Sequence, residues 1–220
     1  MDLQESITVT KKNLGAKHKI DFALTTYCQA RCRSCARTNE YTGDKESWLD
    51  LKHMDLNIFK QTLAASPNLQ FSSIEFCGEF GDPMMHPQID DFISTAFEFT
   101  KKVIISTNGA LRNKEWYTHI GNKYKRELEI NFAIDGTTHE TNWKYREGVN
   151  WQKAMDNMSA FSKAGGYAIW NFIIFEWNWQ QIPTMRKIAN EINVKTFIRY
   201  NNRPHGLITK QSKLKADKLL

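Results

Sequence analysis

Short runs in which apolar and polar side chains alternate recur six times along the chain, at residues 20–26, 72–76, 102–107, 128–134, 168–175 and 196–200. Such period-two runs, rich in β-branched and aromatic residues, read as strands. Between them apolar positions fall three or four apart, as in Ile89, Phe92, Ile93 and Ala96, in Trp151, Ala154, Met155 and Met158, and in Ile182, Met185, Ile188 and Ala189. That spacing places them on one face of a helix. Asp55 before Leu56, Phe59 and Leu63 reads as an N-cap, and Pro183 suits the first turn of its helix. Strand followed by helix, repeated, predicts right-handed crossovers and a parallel sheet.

The phase of the alternation narrows the architecture. Leu128, Ile130, Phe132 and Ile134 share one face of the fourth strand, with Glu129, Asn131 and Ala133 on the other. Ile74 and Phe76 oppose Ser73, Glu75 and Cys77, and Ile20, Phe22 and Leu24 oppose Asp21, Ala23 and Thr25. A closed eight-stranded barrel fills its interior with branched apolar side chains, and the central strands of an open doubly wound sheet are apolar on both faces. One polar face fits neither, and points to a curved sheet with helices on its convex side and a wet chamber on its concave side.

Composition sets limits but names no chemistry. At 220 residues, 41% hydrophobic and 25% charged, the chain fits one globular domain with a substantial core. The opening residues lack a basic segment followed by an apolar one, and no stretch has the length of a membrane span, so the expectation is a cytoplasmic protein. The net charge of +6 gathers at Lys11, Lys12, Lys17 and Lys19 near the start and at Arg203, Lys210, Lys213, Lys215 and Lys218 near the end. Residues 1–19 read as an N-terminal extension, 20–202 as the core domain and 203–220 as a basic C-terminal tail. His53, His119 and His139 show no paired metal spacing, and no Ser-His-Asp order, Walker loop or dinucleotide fingerprint is present.

The chemistry lies in the cysteines. Cys28, Cys32 and Cys35 follow the first strand with spacing C-x3-C-x2-C. A structural zinc site takes four protein ligands and an ordinary iron–sulfur cluster four thiolates, so a triad leaves one metal position open. The run Cys28-Gln29-Ala30-Arg31-Cys32-Arg33-Ser34-Cys35 resembles the cluster loop of the radical S-adenosylmethionine (radical SAM) enzymes. The resemblance implies a partial (β/α)6 TIM-like barrel, a [4Fe-4S] cluster held by Cys28, Cys32 and Cys35, and S-adenosyl-L-methionine chelated to the open iron. It also implies reductive cleavage to a 5′-deoxyadenosyl radical that takes hydrogen from substrate, with the electron coming from a flavodoxin- or ferredoxin-like donor.

Three further motifs follow the next strands in the family's order. Cys77-Gly78-Glu79 is similar to the Gly-Gly-Glu motif, whose carboxylate, here Glu79, meets the methionine ammonium, while Gly78 lets backbone approach closely. Ser106-Thr107-Asn108-Gly109 resembles a Thr-Asn-Gly turn beside the cofactor, which makes Ser106 and Asn108 candidate contacts. Ala133-Ile134-Asp135-Gly136 with Tyr145-Arg146 resembles the Ser-Ile-Asp-Gly region of peptide- and protein-modifying (SPASM-type) members. It implies Asp135 as a cofactor contact and Arg146 as the partner of the methionine carboxylate, with Asn171 and Arg199 as adenine or ribose contacts.

Two departures stand out. Ala133 lacks the family's serine hydroxyl, and Cys77 replaces a glycine, either as a small buried thiol or as a fourth ligand that would close the iron. With no cysteine after Cys77, the auxiliary clusters of SPASM-type relatives are not expected. Substrate would then be held by the barrel and the long loop of residues 36–55, or a partner protein would supply the missing contacts. A peptide or protein substrate is the expectation. An RNA-modifying radical enzyme and a non-catalytic iron–sulfur or zinc interaction module are the alternatives.

Overall fold

The computed structural model describes residues 17–67, 69–203 and 205–220. Six parallel strands lie side by side in sequence order: β1 (Lys17–Phe22), β2 (Gln70–Phe76), β3 (Val103–Thr107), β4 (Leu128–Ala133), β5 (Tyr167–Ile174) and β6 (Lys195–Tyr200). The crossovers carry α1 (Leu56–Ala64), α2 (Ile89–Phe99), α3 (Lys114–Tyr124), α4 (His139–Trp143), α5 (Trp151–Lys163) and α6 (Ile182–Glu191), and α7 (Lys210–Asp217) follows β6. The sheet does not close, which makes it the partial barrel expected from the alternation.

The two faces divide as their side chains dictate. On the outer face Ile74, Phe76, Ile130, Phe132, Trp170 and Phe172 are fully buried beneath helix residues such as Phe59, Phe92, Tyr117 and Phe161. Trp170 sits in this apolar layer because its indole N–H donates to Ile134 O at 2.7 Å. On the inner face Glu75, Ser106, Asn131 and Asn171 remain partly exposed, and Asp21 and Arg199 are exposed.

Capping follows the sequence. Asp55 accepts from the backbone N–H groups of Asn57 and Ile58, and Pro183 occupies the first turn of α6. Neither α3 nor α7 was evident from periodicity, because their apolar stripes are thin: α3 buries Tyr117, Ile120 and Gly121, and α7 buries Ser212 and Ala216. Residues 203–220, expected as a basic tail, therefore include a helix docked on the core, secured where Arg186 donates to the carbonyls of Leu219 and Leu220. Of the basic cluster near the start, Lys11 and Lys12 lie outside the described residues, and β1 already begins at Lys17. Among the described residues no helix is long and apolar enough to cross a membrane.

The loop of residues 36–55 contains no regular element, but it is tied to β1 by a bridge between Thr25 and His53. His53 stacks on Tyr27, with ring centroids 4.6 Å apart, and meets the buried His86 edge-on at 4.9 Å. Nδ1 of His86 accepts from the Gln88 N–H at 3.1 Å, so Nε2, 3.0 Å from Met54 O, carries the proton. Burial depresses the pKa of His86, and the neighbouring His53 and Arg112 push the same way. A histidine held neutral stabilises the fold above its unfolded pKa of about 6.5, and that contribution is lost as pH falls, since the unfolded chain takes up the proton first. His86→Leu should therefore show a smaller fall in Tm than the wild type between about pH 7 and pH 5. Equal falls in a thermal-melt series would refute this assignment.

Candidate active site

The carboxyl ends of the strands converge on a cavity of about 520 Å³ whose wall includes Cys28, Cys32 and Cys35. The loop that carries them is gripped through its backbone. Arg37, only 7% exposed, donates from Nη1 to Cys28 O and Ala30 O at 3.1 Å each and from Nε to Phe80 O at 3.1 Å. From the other side the N–H groups of Arg31 and Arg33 donate to the carbonyls of Glu147 and Tyr145, and the Arg31 and Glu147 side chains pair at 2.8 Å. Gly148, at φ +84°, runs so close that a Cβ there would lie 2.8 Å from Gln29 O.

Donors face two of the sulfurs. The Ala30 N–H points at Cys28 Sγ from 3.4 Å, Asn108 Nδ2 stands 3.9 Å from the same sulfur, and Arg146 Nη1 stands 3.9 Å from Cys32 Sγ. Burial nevertheless pushes the Cys28 thiol up to about 12, with Asp82 adding to the rise, and the Cys32 thiol up to about 11. These two thiols hold their protons in the metal-free protein, and metal binding would release them.

Asp82, buried at 3% exposed, joins this loop to β3. Its carboxylate accepts from the Thr107 hydroxyl, from the Asn108 N–H at 2.8 Å and from Asn108 Nδ2 at 2.6 Å, and Asn108 Oδ1 accepts in turn from Gln29 Nε2 at 2.8 Å. The turn before Asp82 passes so tightly over the segment after β1 that a Cβ on Gly81 would lie 2.2 Å from Thr25 O. Arg37, Gly81 and Asp82 were not singled out from the sequence, since none carries a signal that separates it from an ordinary loop residue. The nearest hint was the closeness of Gly81 and Asp82 to Gly78-Glu79.

The second scaffold is Asp135, fully buried. It accepts from Arg146 Nε at 2.7 Å and from the Ile173 N–H at 2.7 Å, while Asn142 and Asn178 hold its own backbone N–H and carbonyl. Burial works against the charge on Arg146, but Asp135 and Cys32 outweigh it and raise its pKa. The guanidinium stays charged, with Nε committed to Asp135.

Of the residues expected to hold the cofactor, Gly78, Glu79, Ser106, Asn108 and Arg146 line the cavity with the three cysteines, and Ala133 and Arg199 do so too. Glu79 is exposed, and no ion pair to it occurs among the described residues. Ser106 is partly engaged, 3.2 Å from Glu75 Oε1. Two expected contacts do not line this cavity: Asp135 is spent behind Arg146, and Asn171 sits beside Ala133 in register without reaching it. Asn108 lines it with its amide already bonded on both sides, so it acts as a brace. Cys77 does not line it either. Burial raises its thiol pKa, and Asp21, Glu75 and Glu79 contribute to the rise, so it belongs to the inner-face carboxylates.

No protein-family model and no curated protein matches the sequence. Solved structures do match the fold. SuiB of Streptococcus suis bound to S-adenosylmethionine superposes with a TM-score of 0.71 at 16% identity over 92% of this chain and 46% of that one. The anSMEcpe protein with bound AdoMet gives 0.66 at 11% identity, covering 90% and 55%, and methylornithine synthase (PylB) gives 0.58 at 13%, covering 91% and 61%. The fold is that of the radical SAM enzymes. The chain spans about half the length of the first of these structures, 46% of SuiB, and at these identities the likeness concerns the fold.

The residues suit the groups that a radical SAM site holds. A single zinc ion needs its thiolates at about 2.3 Å from one point, yet among the described residues no three Cys, His, Asp or Glu side chains converge on such a point. Three free thiols line one cavity, and a four-iron cluster would take each of them through a separate iron, with no need for the three to meet at one point. Asp135→Ala should strip the buried Arg146 of its counter-ion at a cost of about 3 kcal/mol or more, lowering Tm by roughly 6–12 °C in a chain of this size. Asp135→Ala combined with Arg146→Met should recover part of the loss. A single variant that melts with the wild type would show that the pair does not carry the loop.

Proposed function

We propose that this chain is a radical SAM enzyme acting on a peptide or protein. The observation that supports it best is that the three cysteines, Glu79 and Arg146 share one cavity at the carboxyl ends of the strands, where parallel α/β folds place their chemistry. When bound at Cys28, Cys32 and Cys35, a [4Fe-4S] cluster would supply one electron to S-adenosylmethionine, giving methionine and a 5′-deoxyadenosyl radical that removes a hydrogen atom from substrate.

The chain's own residues bind and orient. Glu79 offers an unpaired carboxylate to the methionine ammonium, and Gly78 keeps the backbone beside it free of side chain. Arg146, fixed through Nε by Asp135 and with Nη1 3.9 Å from Cys32 Sγ, keeps Nη2 for the methionine carboxylate, in a planar geometry that lysine lacks. Asn108 and Asp82 hold the Cys28 turn at a set height above β3. The gap between β1 and β6 admits substrate to the inner face, and an external flavodoxin- or ferredoxin-like protein supplies the electron. A peptide substrate is supported by the neighbours of the same fold: SuiB has been solved bound to the precursor peptide SuiA, and anSMEcpe with AdoMet and the Cp18Cys peptide.

The test is anaerobic reconstitution with iron and sulfide, followed by measurement of bound iron and of 5′-deoxyadenosine under reducing conditions. Wild-type protein should hold about four irons, as a cubane requires, and form deoxyadenosine. Alanine at Cys28, Cys32 or Cys35 should abolish deoxyadenosine and most of the iron, whereas Cys77→Ala should keep the iron. Absence of deoxyadenosine from wild-type protein that holds zinc would sink the proposal, and loss of iron in Cys77→Ala would show a fourth ligand.

A further inference from the structure

The inner face is polarised from edge to edge. At the β1 side Asp21 and Glu75 stand opposite one another in register, with Glu79 above them. Across the open sheet β6 presents Lys195, Phe197 and Arg199 to the same face, all exposed, with Phe197 54% exposed. Like charges on directly opposed strand positions cost stability, so the Asp21 and Glu75 pairing is not explained by folding.

Three groups near β6 lack partners that folding would normally provide. Arg199 lines the cofactor cavity, yet no hydrogen bond or ion pair to its guanidinium occurs among the described residues. The other arginines of that cavity are committed: Arg37 to loop carbonyls, Arg146 to Asp135 and Arg203 to Ser34 O. In register with Phe197 on the neighbouring strand lies Asn171, whose buried Oδ1 has no hydrogen-bond partner among the described residues. A buried amide oxygen left unbonded is costly and rare. The phenyl ring of Phe197, on the edge strand beside Asn171, stands in solvent.

We infer that Arg199, Asn171 and Phe197 form a substrate subsite that takes an extended peptide bearing a carboxylate side chain. The carboxylate pairs with the Arg199 fork, a peptide N–H satisfies Asn171 Oδ1, and an adjacent apolar side chain covers Phe197. The carboxylates of Asp21 and Glu75 repel that anion from the other wall and set the direction in which the peptide lies. β6 is an edge strand, so its outer backbone is open to an extended chain. The subsite deepens the proposed function and rests on that reading for its place in catalysis.

The experiment uses the reconstituted holoprotein with S-adenosylmethionine and three fluorescein-labelled nonapeptides of alanine and serine, carrying a central Phe-Glu, Phe-Gln or Phe-Lys step. Anisotropy should show the Glu peptide binding about tenfold tighter than the Lys peptide. Arg199→Ala should erase that preference and Arg199→Lys restore part of it, while Asn171→Ala weakens all three peptides by about threefold. Affinity for S-adenosylmethionine is measured in parallel, and the Arg199 variants should lose more affinity for the Glu peptide than for the cofactor. Three peptides bound equally or not at all by the wild type would overturn the subsite. So would a loss of S-adenosylmethionine affinity in Arg199→Ala as large as the loss of peptide, which would place the guanidinium on the cofactor. Arg199-dependent binding of labelled hexauridylate in place of peptide would assign the surface to nucleic acid and overturn it equally. Deoxyadenosine is assayed separately: a protein that forms none but keeps the Glu preference would lose the enzyme reading and retain the subsite.

Discussion

A buried ion pair carries the architecture of the cavity. Asp135 and Arg146 are 0% and 13% exposed and meet at 2.7 Å, and removing water from two such charges is costly unless each is fully bonded. The fold meets that condition at the carboxylate with the N–H of Ile173, while the amides of Asn142 and Asn178 hold the backbone of Asp135, so separate segments are drawn together around one residue. The segment that holds Arg146 also supplies the carbonyls of Tyr145 and Glu147 that dock the cysteine loop. Placement of the thiols thus depends on a carboxylate that reaches them only through Arg146 and the backbone beside it.

Much of the fold was legible in the sequence, because alternation and helical period report burial directly. β2 to β6 begin and end within two residues of the expected positions, while β1 lies about three residues earlier than its pattern suggested. The reason is local: apolar alternation runs on through Leu24, but Thr25 and Thr26 leave β2 to bond with the returning loop at Lys52. Helices α3 and α7 escaped because a helix that buries two or three residues leaves almost no period to read. The cysteine triad, Glu79 and Arg146 were legible through motif order. Asp82 and Arg37 were not, since their importance arises from carbonyls and amides far away in sequence that only folding brings near.

The division of the sheet into a dry outer face and a wet inner one separates stability from chemistry. Core residues such as Phe76, Phe132 and Trp170 point one way, and Glu75, Asn131 and Asn171 alternate with their neighbours to point the other. A one-residue slip in any strand would exchange these sets, so register is fixed by the core and the inner face is positioned as a by-product. Polar groups can then vary along the chamber wall without touching the packing behind it. Cys77 illustrates this freedom: it lies on the polar face among carboxylates and does not line the cavity that holds the other three thiols.

The grip of Arg37 on the cysteine loop has a consequence for how such a site tolerates change. Its guanidinium binds the carbonyls of Cys28, Ala30 and Phe80, groups that every amino acid possesses. A clamp on backbone is indifferent to the side chains it holds, so an exposed position such as Arg33 can be rewritten by mutation while the thiols keep their places. Spacing is another matter, because one residue inserted or removed would move a carbonyl out of the guanidinium's reach. The loop is therefore permissive in composition and intolerant in length, which is the form in which a short cysteine pattern can outlast the sequence around it.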